Sequence, residues 1–333
     1  MKIGNRTIVQ LSDCLVDAVM MNPTILAATW SDGLFVFSDD VSRQELAGQA
    51  IRAIAPAGHG GALAVVDGHS IYRRTASGSW NTIATSELPL ACCVAVGDAI
   101  YAGTDDARML RVNSNGRIDA LSDFDGVPGR DTWYAGAAMI DGRLLGPPLG
   151  IRSITATADG AALLANVHVG GIPRSTDLGA TWQPTIDIES DIHEVRAHPA
   201  HPEIVAAAAA AGLCISRDRG ATWTIEREGL HASYCSAVAF AGDDILIAAA
   251  AHHFATEGAV YRRPIDGARS LTTFDGGFPT WTHGIVDTGC IAAYASSIAV
   301  ADKGGNLYVS ADAGRTWSHR ANGLPGISSL VIV

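Results

Sequence analysis

Apolar runs recur along the chain, each closed by a cluster of Gly, Asn, Asp or Ser. Runs this short, bounded by turn residues, predict β-strands joined by tight hairpins. Four such runs at 14–21, 24–30, 33–38 and 43–46 are followed by four more at 51–55, 62–66, 70–74 and 80–84. A third group spans about 90–124, and later groups occupy about 151–187, 191–228, 233–274 and 284–322. The run from Ile204 through Ala211 is almost all alanine and would read as helix on propensity alone. It falls where the second strand of a group belongs, so a strand is expected.

Within this rhythm one octapeptide occurs three times. Ser175-Thr-Asp-Leu-Gly-Ala-Thr-Trp182, Ser216-Arg-Asp-Arg-Gly-Ala-Thr-Trp223 and Ser310-Ala-Asp-Ala-Gly-Arg-Thr-Trp317 all read Ser-x-Asp-x-Gly-x-Thr-Trp. The interval from 216 to 310 is a little over twice that from 175 to 216, which implies a repeat with one copy missing. The aspartates suit capping of a turn, and the glycines suit a backbone with φ > 0. The tryptophans would plug the gap between neighbouring sheets. Worn copies stand at Ser38-Asp39-Asp40, Thr75–Trp80 and Asn113–Gly116.

These residues resemble the Asp-box, or BNR, repeat of sialidase-like β-propellers, which also occurs in a photosystem-assembly-factor-like family. The resemblance implies an all-β, single seven-bladed β-propeller over residues 1–333, its blades four-stranded and antiparallel. The run at 327–333 would close the ring by pairing with the N-terminal blade, with 6–10 nearby. Sialidase chemistry needs three arginines on a carboxylate, a Tyr–Glu pair and an Arg-Ile-Pro motif. Here only Ile172-Pro173-Arg174 stands before a box, in the wrong order, and only Arg152 and Arg130 fall on the candidate face. A typical sialidase is not expected. The resemblance equally allows a non-catalytic, protein-binding scaffold or assembly factor.

Composition narrows the partners. A formal charge of −11 disfavours nucleic acid, whose binders carry basic patches. No apolar span is long enough for a membrane helix, and the first residues lack a signal core, so a soluble cytoplasmic protein is expected. The six cysteines lie in apolar runs without CxxC spacing and are expected as buried thiols. The rhythm breaks at about 125–150, a long insertion with the properties of a lid.

In a propeller the starts of inner strands and the ends of second strands share one face. That rule gathers Arg152, His193, Glu194, His231, Tyr234, Cys235, Trp281, His283 and Asp287. From the second strands it adds Trp30, Asp105, Asp106, Asn166, His168, His252, His253 and Lys303. Six of the eleven histidines fall there. The expected site is a His/Trp-lined pocket at the channel mouth for a polar small molecule or sugar, able to host hydrolysis or elimination. His193, His231, His252 and His283 are the expected proton-transfer groups, with Glu194 as partner carboxylate. The same four histidines are the expected ligands if a divalent transition metal is bound. Arg152 and His168 would hold the ligand, and Trp133, Tyr134, Trp281 and Trp30 would form walls.

Overall fold

The computed structural model describes residues 23–39, 41–134, 138–140, 143–145 and 149–333, the two short strands within the insertion by backbone alone. Seven antiparallel blades of four strands stand around an axis as a β-propeller, the sixth with Thr282–His283 added as a short fifth strand. The inner strands of blades 2 to 7 are Ile51–Pro56, Leu90–Val96, Ile151–Ala156, Ile192–Ala197, Tyr234–Ala241 and Ile291–Tyr294. Blade 1 takes its inner strand from the far end of the chain. Ile327–Ile332 pairs antiparallel with Ile25–Thr29, which continues outward to Leu34–Ser38 and Val41–Glu45. The expected closure is therefore present, but the inner slot is filled by the C-terminal strand and not by residues 14–21. Those residues, with 6–10, lie outside the described part of the chain.

Packing between blades follows from side-chain size. The second strands are the most completely buried elements, and in blade 5 all five residues of Val205–Ala209 are inaccessible. Alanine leaves room there for Leu213, Ile215 and Cys235 to fill the gap between sheets. Burial of the pleated faces, not helix propensity, decides the conformation of this run. Cys92, Cys93, Cys214, Cys235 and Cys290 are buried free thiols, as expected; Cys14 lies outside the described residues.

The three boxes form nearly superposable turns between third and fourth strands. Ser175 Oγ accepts from Gly179 N at 2.8 Å, while Asp177 accepts from Thr181 N at 2.8 Å and Thr181 Oγ1 at 2.6 Å. The same bonds recur around Asp218 and Asp312. Leu178 and Gly179 both lie at positive φ, 58° and 92°, and a Cβ on Gly220 would stand 2.1 Å from Leu164 Cδ2. Trp182 is buried edge-on against Phe124, and Trp317 packs on Phe274 and Phe278. Since strands alternate in direction, these turns sit on the face opposite the starts of the inner strands.

In the insertion, Trp133 is not a pocket wall. It is buried in the blade 3–4 core beside Phe124, with the Arg130 guanidinium over its ring. Ala138–Ile140 and Arg143–Leu145 pair as a hairpin.

Candidate functional site

The inner strand of a propeller has no partner on its channel side, so its polar backbone groups need other acceptors and donors. Here neighbouring blades supply them. Ser153 Oγ accepts from Val195 N, Thr155 Oγ1 accepts from Ala197 N, and Ser328 Oγ donates to Ile51 O. Glu194 belongs to this set. Its buried carboxylate accepts from Val238 N at 3.0 Å, Gly289 N at 3.2 Å and Arg196 Nε at 2.8 Å. It thereby ties blades 5, 6 and 7 together, and all its bonding capacity facing the protein is used. The sequence-based expectation of a proton-transfer carboxylate gives way to a structural staple.

A second backbone feature aims side chains into the channel. In six blades the pairing of inner with second strand slips by one residue near the mouth, leaving Arg52, Ala91, Arg152, His193, Ser236 and Ser328 without a partner residue. Such bulges re-aim the extra side chain and suit the rim of a barrel or a site. Arg52, Ala91, Arg152 and Ser328 line a channel cavity of about 330 Å³, together with Trp30, Arg196, Asp105 and Asp287. That volume suits a small molecule.

Three guanidiniums thus meet in the channel, though only Arg152 is foreseen from sequence. Arg52 is closely paired with Asp105, and Arg196 with Glu194 at 2.5 Å. Arg152 is freer: it donates to Thr288 Oγ1 at 3.0 Å and stands 3.7 Å from the half-exposed Asp287. Arg130, also expected on this face, is instead engaged with Ala107 O and the aromatic core.

At the rim, beside Arg152, two of the expected histidines meet. His168 Nε2 is 3.4 Å from Asp191 Oδ1, and His193 Nε2 is 3.6 Å from Asp191 Oδ2. Asp191 holds a left-handed conformation after a short 3-10 turn, with φ 50° and ψ 77°. His193 Nδ1 lies 2.6 Å from Cys235 O, so Nδ1 carries the hydrogen and Nε2 is the acceptor nitrogen of the neutral ring. Burial, aided by the positive charge of Arg152, holds the His168 imidazole down at about 4, so it is neutral at pH 7. Burial alone would raise Asp191, but His193, His168 and Arg152 outweigh it and keep its carboxyl below the usual range. Tyr234 packs against His193 at a tilt of 45° with centroids 4.6 Å apart, and burial pushes its phenol well above the usual range.

Of the other four histidines expected on this face, His253 lies against Phe254 with its ring 6.2 Å from that of Tyr234, and three stand apart from the cluster. His231 is bonded through Nδ1 to Tyr261 Oη at 2.7 Å and capped edge-on by Trp281. Phe254 N donates to His252 Nδ1 in an exposed turn. His283 is exposed, its backbone N–H held by Asp302. Asp191 was not foreseen; its only sequence signal is its place immediately before an inner strand. Trp30, Trp281, Tyr134 and Phe254 stand exposed around the mouth. Partial desolvation and the carboxylates of Glu189 and Asp191 raise the Tyr134 phenol.

A second His/Asp group, His198, His201 and Asp243, lies on the opposite face. There both His198 nitrogens are committed, Nδ1 accepting from Ala200 N and His201 N and Nε2 donating to Gly242 O. His198 is a buried brace between blades 5 and 6.

No protein-family model matches the chain, and no curated protein is similar to it in sequence. Solved structures do resemble it in fold. A crystal structure of the computationally designed Ika8 protein superposes with a TM-score of 0.56 at 11% identity, covering 91% of this chain and 86% of that one. A chain of a mitotic checkpoint complex gives 0.57 at 11% identity, with 99% and 89% covered. The WD40 β-propeller domain of Doa1 gives 0.57 at 10% identity, with 89% and 85% covered. The chain has the fold of a seven-bladed β-propeller.

Proposed function

We propose that this propeller binds a small polar molecule carrying a carboxylate and hydroxyl groups, of the sugar-acid type, in its channel mouth. The observation that carries the reading is Arg152, re-aimed by a bulge into a cavity of about 330 Å³ and held only loosely by Asp287. A guanidinium in that state is available for a bidentate bond to a ligand carboxylate. The Arg52–Asp105 pair presents both donors and an acceptor to hydroxyl groups, and Arg196 adds further donors. Trp30 and the other exposed rim aromatics supply faces for a sugar ring. Of the four histidines expected to transfer protons, only His193 stands in the cluster beside Arg152. The box turns support kinship with Asp-box propellers.

The test is calorimetric titration of the chelator-treated protein with glucuronate, galacturonate and gluconate, with glucose as the uncharged control. Saturable binding of an acid, absent for glucose and lost in Arg152→Ala, is expected. No binding by any acid, or equal binding by Arg152→Ala, would overturn the reading. A second reading, a scaffold for a protein partner, draws on the same exposed aromatics and on the checkpoint-complex chain of like fold. It is favoured if no small acid binds and Trp30→Ala and Trp281→Ala abolish capture of one defined protein.

A further inference from the structure

The groups around Asp191 have unmet bonding needs of one sign. His193 Nδ1–H is committed to Cys235 O, so in the neutral ring its Nε2 presents a lone pair to Asp191 Oδ2 across 3.6 Å. That is an acceptor facing an acceptor, at a separation too long for a hydrogen bond. On the other side Asp191 Oδ1 is buried with no hydrogen-bond partner among the described residues, and His168 Nε2 stops 3.4 Å from it. His168 is itself buried, and its Nδ1 is also without a partner among those residues. Buried polar atoms left this way are costly and call for an explanation.

One cation between them answers the facing acceptors and the orphaned carboxylate oxygen. Two ligands each about 2.0–2.1 Å from a tetrahedral ion stand about 3.4 Å apart. The two His–Asp separations, 3.4 Å to Oδ1 and 3.6 Å to Oδ2, lie close to that chord, and one ligand atom from each residue lies within 4.8 Å of the others. The bond from His193 Nδ1 to a backbone carbonyl is the support that metal-binding imidazoles usually have. The Arg152 guanidinium is close enough to act electrostatically on both His168 and Asp191, which places the cluster beside the cavity that Arg152 lines. The His198 group offers the contrast: the same residue types, but both nitrogens of His198 already spoken for.

We infer that His168, Asp191 and His193 bind one divalent first-row transition ion of the zinc class at the rim of the channel. The site takes its ion through two imidazoles and a carboxylate, which leaves a fourth position for water. This stands apart from the sugar-acid reading, because it concerns the ion alone and is tested without any organic ligand.

The experiment uses tag-free full-length protein stripped with a chelator and titrated with Zn²⁺, and in parallel with Co²⁺ followed by visible absorption. One equivalent of Zn²⁺ per chain is expected, with a visible ligand-field band from Co²⁺ that Zn²⁺ displaces. Asp191→Asn and His168→Gln should each weaken Zn²⁺ binding by at least about tenfold, since even supporting residues at metal sites matter by about 10–100-fold. His201→Gln should leave it unchanged. Near-ultraviolet circular dichroism of the stripped variants checks that they are folded. If the wild-type chain takes up no ion and gives no Co²⁺ band, the assignment is overturned, whatever the variants do. It is overturned equally if binding survives in Asp191→Asn and His168→Gln and disappears in His201→Gln. Sugar-acid binding, measured in chelator, can fail while ion binding holds, and the reverse.

Discussion

The box hairpins and the channel-side starts of the inner strands are both repeated features, and they repeat different things. In the hairpins the side chains recur: Ser, Asp, Gly and Thr make the same bonds three times. At the inner strands the backbone recurs instead. A one-residue slip appears in six blades, but the side chain it frees is Arg, Ala, Arg, His, Ser and Ser in turn. Identical chemistry at equivalent places stabilises identical turns. Unlike chemistry on a common geometry composes one asymmetric pocket.

That contrast can be tested by perturbing each region and reading both stability and binding. The largest effect is expected from Trp182→Ala, which empties a buried site beside Phe124. A loss of about 3–5 kcal/mol is expected from such truncations. It should appear in denaturant unfolding, with ion and sugar-acid binding to the folded fraction unchanged. Glu194→Gln comes next, at on the order of 3 kcal/mol, because Arg196 and the amides of Val238 and Gly289 lose a shared carboxylate. As Glu194 sits beneath the mouth, this variant should also weaken binding; unaltered binding would cut the staple off from the pocket.

Acid is expected to act on the hairpins. The threonine hydroxyl bond, then backbone N–H bonds, hold Asp177 and Asp312 at about 2, against 3.8 for an ordinary aspartate. A carboxyl depressed on folding stabilises fully above its unfolded value and loses that contribution as pH falls through its folded one. Stability should therefore drop between about pH 4 and pH 2. The drop should be shallower in Asp177→Asn, followed by melting temperature against pH. The smallest change in stability is expected from Arg152→Ala, under about 0.5 kcal/mol for a partly exposed, loosely paired residue. Its effect should fall almost entirely on sugar-acid affinity.

Legibility divides along the same line. Ser175, Asp177, Gly179 and Trp182 act within eight consecutive residues, so their spacing alone discloses the turn, and the count of such turns discloses the ring. The strand at Val205–Ala209 was readable because its place in the repeat outweighed its alanine content. The pocket was readable only as a face. His168 and His193 were rightly drawn to it, but Asp191 joins them through a left-handed backbone that no residue type announces. Arg52 escaped notice although Ile51-Arg52, Ile151-Arg152 and Ile192-His193 occupy equivalent positions, an alignment visible only once the bulges are known. His231, His252 and His283 share the face yet are spent on Tyr261, a local turn or solvent. Trp133 was misjudged because burial by Phe124 depends on the neighbouring blade.

The inner strand of blade 1 carries one more consequence, for the order of events during synthesis. Ile327, Ser328 and Ser329 form part of the cavity wall, and their strand pairs with residues made some three hundred positions earlier. While the ribosome is still making blade 7, the Ile25–Thr29 strand waits with an apolar, hydrogen-bonding edge uncovered. Contacts this distant in sequence are slow to form. The waiting edge is thus the point at which a nascent chain is most open to capture by a chaperone or by the last strand of another copy.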